Sequence, residues 1–402
     1  MSAEPQNMTN SGKNTSPLLM PVKIAEGTEN EVTTTNRVFM APMTRGRSTE
    51  NHVPQDFMAD YYSQRSTAGL IFAEATGISQ QGLGWWCAPG IWSDEQVEAW
   101  KPIVKRTKLS GTSFYLQLWH MGRQGHSDVM KETPVSASEK PMSAPIPAKN
   151  HERKEAETPH ALTKEEIAGV VKDYGKAARN AKEAGFDGVE IHAANGYLID
   201  QFIQSCTNER TDDYGGSIEN RLRFLREVLD EVLTVFPKER ISVRLSPNGA
   251  FAEMGSEDNL ETFKEAFKYL AGKRIGMIHL MDGLDWGFHE KCDPFTATLG
   301  REIIRETQKD EGIATILVCN AGYTHESADL LIKVANGESP LVEQAVAFGR
   351  PFIANPDLVD RFRNGWELAP TPGQKEWWGN NVKEGYSDYP NHEGEVAHKN
   401  EE

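Results

Sequence analysis

The chain has 402 residues, 25% of them charged and 38% hydrophobic, with a formal net charge of -16. No apolar run approaches the roughly 20 residues that span a bilayer, and the acidic balance opposes binding to nucleic acid or anionic lipid, which needs clustered Lys and Arg. The four cysteines, Cys87, Cys206, Cys292 and Cys319, show no C-x-x-C spacing, so neither a zinc site nor a disulfide framework is expected.

The first seventeen residues are polar and lack the apolar core of a secretion signal, so residues 1–17 are expected to be a disordered extension and the chain cytoplasmic. From there short apolar runs alternate with longer amphipathic segments, the pattern of a parallel sheet with crossover helices. Eight runs read as strands: Val38 to Ala41, Leu70 to Ala73, Phe114 to Leu118, Val189 to His192, Ile241 to Leu245, Met277 to Met281, Thr315 to Val318 and Ala345 to Phe348. Helix starts are marked by Ser93-Asp-Glu-Gln96, by the capping box Thr163-Lys-Glu-Glu166 and by Ser217-Ile-Glu-Asn220, and Gly185 stops the helix after Thr163. Eight strand and helix pairs argue for an α/β fold of the (β/α)8 TIM barrel type over residues 18–391. The Pro- and Ser-rich segment 122–162 interrupts it after the third strand as a loop or cap, and 392–402 is a polar tail. The stretch after the sixth strand, with Trp286, Phe288 and His289, is a second candidate to face a substrate.

Chemistry concentrates between Gly188 and Ser217. Side chains alternate along a strand, so His192 shares a face with Glu190 and ends the fourth strand at the rim where barrels carry catalytic residues. Asn195, three residues later, can turn a second donor toward the same point, and the two together can grip one carbonyl oxygen. Tyr197 is the candidate acid, because a phenol is protonated at neutral pH and can deliver a proton to a developing carbanion. No carboxylate or second histidine stands at metal-ligand spacing. Gly82-Leu-Gly84 has Cys87 where a dinucleotide fingerprint needs its third glycine, so no Rossmann domain is indicated.

The successive motifs Asn36-Arg37-Val-Phe-Met-Ala-Pro42-Met43-Thr44-Arg45, Gln117-Leu-Trp119-His120, His192-Ala-Ala-Asn195-Gly-Tyr197, Tyr214-Gly-Gly-Ser217, Arg244-Leu-Ser-Pro247 and Phe348-Gly349-Arg350 resemble those of the old yellow enzyme family, in order and spacing, over about residues 17 to 391. The resemblance implies a barrel that holds FMN noncovalently, is reduced by NADPH or NADH, and reduces activated C=C bonds of enones, nitroalkenes or imides. It implies that Pro42, Met43, Thr44, Ala75, Gln117 and Arg244 surround the flavin ring, and that Trp119 bounds the substrate side. Barrels commonly bind phosphate after strands seven and eight, where Gly322, Gly349 and Arg350 fall, with Arg350 as the clamp. His192 and Asn195 would then bind the activating oxygen and Tyr197 protonate the α carbon. A monomer or homodimer is expected. The alternatives are a specialised natural-product reductase or isomerase of the same family, a cofactor-free barrel lyase or isomerase using His192 as base, and a flavin-bound scaffold without turnover.

Overall fold

The computed structural model describes residues 16–284, 287–337, 342–379 and 382–394. Eight parallel strands close into a barrel in chain order: β1 (Val38–Met40), β2 (Leu70–Gly77), β3 (Ser113–Trp119), β4 (Gly188–Ala193), β5 (Ile241–Leu245), β6 (Met277–Met281), β7 (Ile316–Asn320) and β8 (Gln344–Phe348). Every residue of β4 to β8 is buried, so the polar residues that alternate with apolar ones along β4 and β5 face the barrel interior and not solvent. The outer ring consists of α1 (Met58–Gln64), α2 (Asp94–Thr107), α3 (Lys164–Ala184), α4 (Arg223–Leu233), α5 (Asn259–Lys273), α6 (Ala297–Gln308), α7 (His325–Ala335) and α8 (Leu358–Asn364). The expected capping box of Thr163 with Glu166 forms, the helix start at Ser93 proves to be a second box with Gln96, and Gly185 ends α3 in the left-handed region at φ +96°.

Named residues close the barrel. Arg37 Nη1 donates to the Gln344 carbonyl at 2.8 Å and pairs with Glu343, while Val346 N–H donates to the Arg37 carbonyl at 2.9 Å, joining β8 to β1. Asn36 Oδ1 accepts from Val38 N–H and Gly69 N–H, each at 3.0 Å. A Cβ on Gly69 would stand 2.1 Å from the Asn36 carbonyl oxygen, so only glycine admits this approach of β2 to β1. At the other end of the strands a short hairpin, Lys23–Ile24 with Val32–Thr33, adds Val22, Ile24 and Val32 to the buried cluster of Phe39, Phe72, Tyr115, Met277 and Val318.

Two strand boundaries differ from expectation in ways that matter. β7 runs on to Asn320, and β2 runs on to Gly77 with a register irregularity between Ala73 and Thr76, which carries Ala75 to the rim. Segment 122–162 folds on itself through paired short strands, Val135–Ser136 with His160–Ala161 and Ile146–Pro147 with Arg153–Lys154. The backbone N–H groups of Ser143 and Ala144 donate to Glu253 at 2.7 and 3.2 Å, and Arg210 Nη1 holds the carbonyls of Ala137 and Leu162. Of the terminal segments, 1–15 and 395–402 lie outside the described residues. Ser16 Oγ donates to Asp329, and His392 N–H donates to Asp357 at 2.7 Å.

Candidate active site at the carboxyl end of the barrel

The strand alternation places Glu190 and His192 toward the barrel axis, with Val189 and Ile191 in the outer apolar core. Glu190 Oε1 accepts from Gln117 Nε2 at 2.9 Å, and its Oε2 accepts from Ser242 Oγ and His279 Nδ1, both at 2.8 Å. Burial raises the affinity of Glu190 for a proton, but His279, Arg244 and Ser242 outweigh it, and the carboxyl sits below its ordinary range. His279 is pushed down by burial more than Glu190 raises it, so it donates to the carboxylate as a neutral imidazole. The compensating cation is Arg244, paired in register with both His192 and His279. Its Nη2 donates to Asn320 Oδ1 at 2.6 Å, Asn320 Nδ2 donates to the Ala347 carbonyl at 2.6 Å, and the buried Arg244 Nε has no hydrogen-bond partner.

Above this charge pair lies the loop after β4. His192 and Tyr197 meet edge to face with centroids 4.8 Å apart, and Trp119 at the end of β3 meets Tyr197 edge to face at 5.0 Å. His192 Nδ1 and Trp119 Nε1 are buried without a partner. Burial, then Arg244 and His279, hold His192 well below the usual imidazole range, and burial raises Tyr197 although Arg244 opposes it. At neutral pH both are therefore uncharged, a hydrogen-bond donor and a proton-bearing phenol. Asn195 and Gly196 take consecutive left-handed conformations, φ +58° and +71°. A Cβ on Gly196 would stand 2.8 Å from Met254 Cγ, so the glycine is required. The turn is pinned where Asn195 N–H donates to Ser246 Oγ at 2.7 Å, Gly196 N–H to Asp200 Oδ2 at 2.8 Å, and Gln201 Nε2 to the Gly196 carbonyl at 2.7 Å.

The remaining expected residues come from separate strands to this end. Pro42, Met43 and Thr44 follow β1, and Gly349 after β8 lies beside them, its added Cβ falling 3.5 Å from Met43 Sδ. Ala75 shares a buried cluster with Trp119 and Met121, against which Tyr197 packs. Gly322 forms an exposed turn after β7 at φ +81°, and the Arg350 guanidinium lies 5.0 Å over the Trp377 ring. A mononucleotide fits this donor set: a threonine hydroxyl, an amide, glycine backbone, a second arginine, and a buried cation whose orphan N–H needs an anionic acceptor. Among the described residues no group of three His, Cys, Asp or Glu could hold a metal ion.

The model of the NADH:flavin oxidoreductase / NADH oxidase family matches residues 17–369. This chain belongs to that family. Its fold superposes on the old yellow enzyme homologue from Zymomonas mobilis with a TM-score of 0.83 at 43% identity, covering 93% of this chain and 99% of that one. Morphinone reductase, solved with tetrahydroNAD, gives 0.81 at 36% identity, covering 93% and 97%. The putative 12-oxophytodienoate reductase-like protein 1 of Arabidopsis thaliana is 40% identical over 338 residues, 82% of this chain and 96% of that protein. The chain is an FMN-dependent ene-reductase of the old yellow enzyme type, supplied by nicotinamide hydride.

Within this old yellow enzyme several important residues escape a reading by motif. His279 and Asn320 complete the buried network, and alternation along β6 and β7 is the signal that would have drawn attention to them. The C-terminal strap, residues 374–379 and 382–389, was not singled out at all. Arg45 Nε donates to the Trp377 carbonyl at 2.7 Å and Nη2 to Gly385 at 2.8 Å, while Arg47 Nε reaches Val382 at 2.9 Å. Trp378 meets Trp85 at 5.2 Å. Tyr214-Gly-Gly-Ser217, by contrast, is architecture: Asn208 Nδ2 holds the Tyr214 carbonyl at 2.7 Å, and a Cβ on Gly215 would stand 2.1 Å from the Arg210 carbonyl oxygen. Trp286 lies outside the described residues.

Proposed function

We propose that this chain takes reducing equivalents from NADPH, with NADH as the second candidate, and reduces α,β-unsaturated ketones, aldehydes, nitroalkenes or imides by net trans addition. The observation that carries the reading is the buried, uncharged His192 and Tyr197 packed together beside Trp119, with Asn195 on the pinned turn between them. Bound FMN supplies the two-electron store that links the two substrates. Pro42, Met43, Thr44, Ala75 and Gln117 would hold its ring, and Gly322, Gly349 and Arg350 its phosphate. Arg244 would present a desolvated cation to the negative charge of the reduced flavin; Asn320 holds its guanidinium and Glu190 attracts it.

His192 and Asn195 donate to the activating oxygen of the substrate and stabilise the charge that develops there when hydride reaches the β carbon. His192, held neutral, does this without giving up a proton. Tyr197 delivers a proton to the α carbon from the opposite face. Trp119, packed edge-on against Tyr197, limits the bulk that reaches this point. The proposal includes a cytoplasmic monomer or homodimer; among the described residues no helix is long and apolar enough to cross a membrane. Stopped-flow reduction with NADPH and with NADH, followed by mixing with a panel of enones and nitroalkenes, tests the reading. NADPH should reduce the flavin faster, and reoxidation should be fast with activated alkenes. Reoxidation by molecular oxygen alone, with no alkene accelerating it, contradicts the proposal.

A further inference from the structure

Asp200 is fully buried on the short helix Leu198–Ile203, directly behind the loop that carries Asn195 and Tyr197. Its Oδ2 accepts from Gly196 N–H at 2.8 Å and its Oδ1 from Gln204 Nε2 at 2.9 Å. The Gln204 amide cannot turn round, because its Oε1 already accepts from Gly255 N–H at 2.8 Å and Asn259 Nδ2 at 3.0 Å. Asn259 Nδ2 also donates to the Pro247 carbonyl at 3.0 Å, which His289 Nε2 approaches at 3.1 Å from the loop after β6. Donor direction is thus set along the whole chain of contacts, and both Asp200 oxygens are required as acceptors. A carboxyl proton at either one weakens the bond that holds Gly196 N–H, in the middle of two consecutive left-handed residues.

The charged and titratable groups around Asp200 leave it the one that changes state near neutrality. Arg123, from the loop after β3, attracts it without touching it, its guanidinium being bonded to the carbonyls of Lys140 and Ala252. Glu253, from the loop after β5, is the carboxylate that attracts Arg123, and Cys206 follows the helix. His120, whose carbonyl accepts Leu198 N–H, is driven by burial to about 3 and stays neutral. His289 is lowered by burial. Burial pushes Asp200 up to about 7, while Gln204, Gly196 and Arg123 pull it down.

We propose that Asp200 is a positioning residue whose ionised form sets the Asn195–Gly196–Tyr197 turn, so that alkene reduction strengthens with rising pH as Asp200 loses its proton. The inference rests on the proposed roles of Asn195 and Tyr197. The test measures the alkene half-reaction of the FMN-loaded protein from about pH 5.5 to about 9 in wild type, Asp200→Asn and Tyr197→Phe. Amide hydrogen exchange across residues 194–198 is followed in parallel. Wild type should rise at least about fivefold between two plateaus, and Asp200→Asn should stay near the low-pH plateau throughout. Exchange across 194–198, corrected for its intrinsic pH dependence, should be less protected at low pH in wild type and equally unprotected at all pH in Asp200→Asn. A wild-type limb retained in Asp200→Asn overturns the inference, and so does wild-type protection that is the same at both ends of the range, a result that needs no variant to fold. Full alkene-reduction rates in Tyr197→Phe would instead overturn the reading of the site.

Discussion

The buried pair Glu190 and Arg244 illustrates how single side chains set this site. Neither charge is accessible, and neutral groups on other strands meet them: Gln117, Ser242 and His279 at the carboxylate and Asn320 at the guanidinium, whose Nε is left without a protein partner. Removing one member of such a pair leaves the other uncompensated, typically at about 3 to 5 kcal/mol. Glu190→Gln should therefore lower unfolding free energy by about that amount in a denaturant titration and weaken FMN retention. A loss below about 1 kcal/mol would mean that Arg244 finds its counter-charge elsewhere. Sequence reading reached His192, Asn195 and Tyr197 because three polar side chains at one strand end are conspicuous. It misses His279, because a histidine inside an apolar run, Met277 to Met281, resembles a core residue until the strand is closed into a barrel.

At the scale of elements, the loops and the C-terminal strap carry what the strands cannot. The loop that continues from Thr44 is held from beneath by Glu74, which accepts from Arg45 N–H at 3.0 Å, and from above by the strap. The strap's Tyr386 stacks on Tyr61 at 4.1 Å with Arg45 and Arg47 over its ring. Arg45→Met removes three hydrogen bonds from a charged donor, each worth about 1.5 to 3 kcal/mol. Limited proteolysis in the strap should then accelerate more than about tenfold, since cleavage follows the population of the locally open form. Cleavage at the wild-type rate would show that the aromatic stack suffices. The strap was illegible in sequence because its anchors lie more than 300 residues away and the strap accepts them through backbone carbonyls, which no side-chain pattern records. The strands and capped helices were legible because their signals are local: continuous apolar runs, Ser93 with Gln96, Thr163 with Glu166, and Gly185.

For the whole molecule the buried titrating groups set the response to pH. His52, His120, His192, His279 and His289 are all lowered by burial, so the unfolded chain binds more protons than the folded one below the ordinary imidazole range. Their effect is absent above about pH 6.5 and becomes a loss of stability as pH falls, for His120 down to about 3. Asp200 and Asp282 act in the opposite sense. Raised to about 7 and about 6, they hold protons that the unfolded chain has released, and they cost stability as pH rises from the usual carboxylate range through those values. Glu74 and Asp173, also raised by burial, act with the two aspartates, while lowered carboxylates such as Glu190, Asp212 and Asp329 act with the histidines, and this balance should leave a melting temperature that peaks near neutrality and falls on the acid side. His120→Asn, whose Oδ1 can replace Nδ1 as acceptor for Gly122 N–H, should flatten the acid limb in calorimetric scans. A wild-type melting temperature constant down to about pH 4 would contradict this balance.

The barrel, the charge pair and the pinned turn converge on one claim, that His192 and Asn195 hold the substrate oxygen while Tyr197 supplies the proton. Separate stopped-flow measurement of the two half-reactions in Tyr197→Phe tests it most directly. Reduction by NADPH should stay within about threefold of wild type, because no proton is delivered in that step, while reduction of a cyclic enone should fall by about 100-fold or more. Equal losses in the two half-reactions, or none in the second, would contradict the assignment.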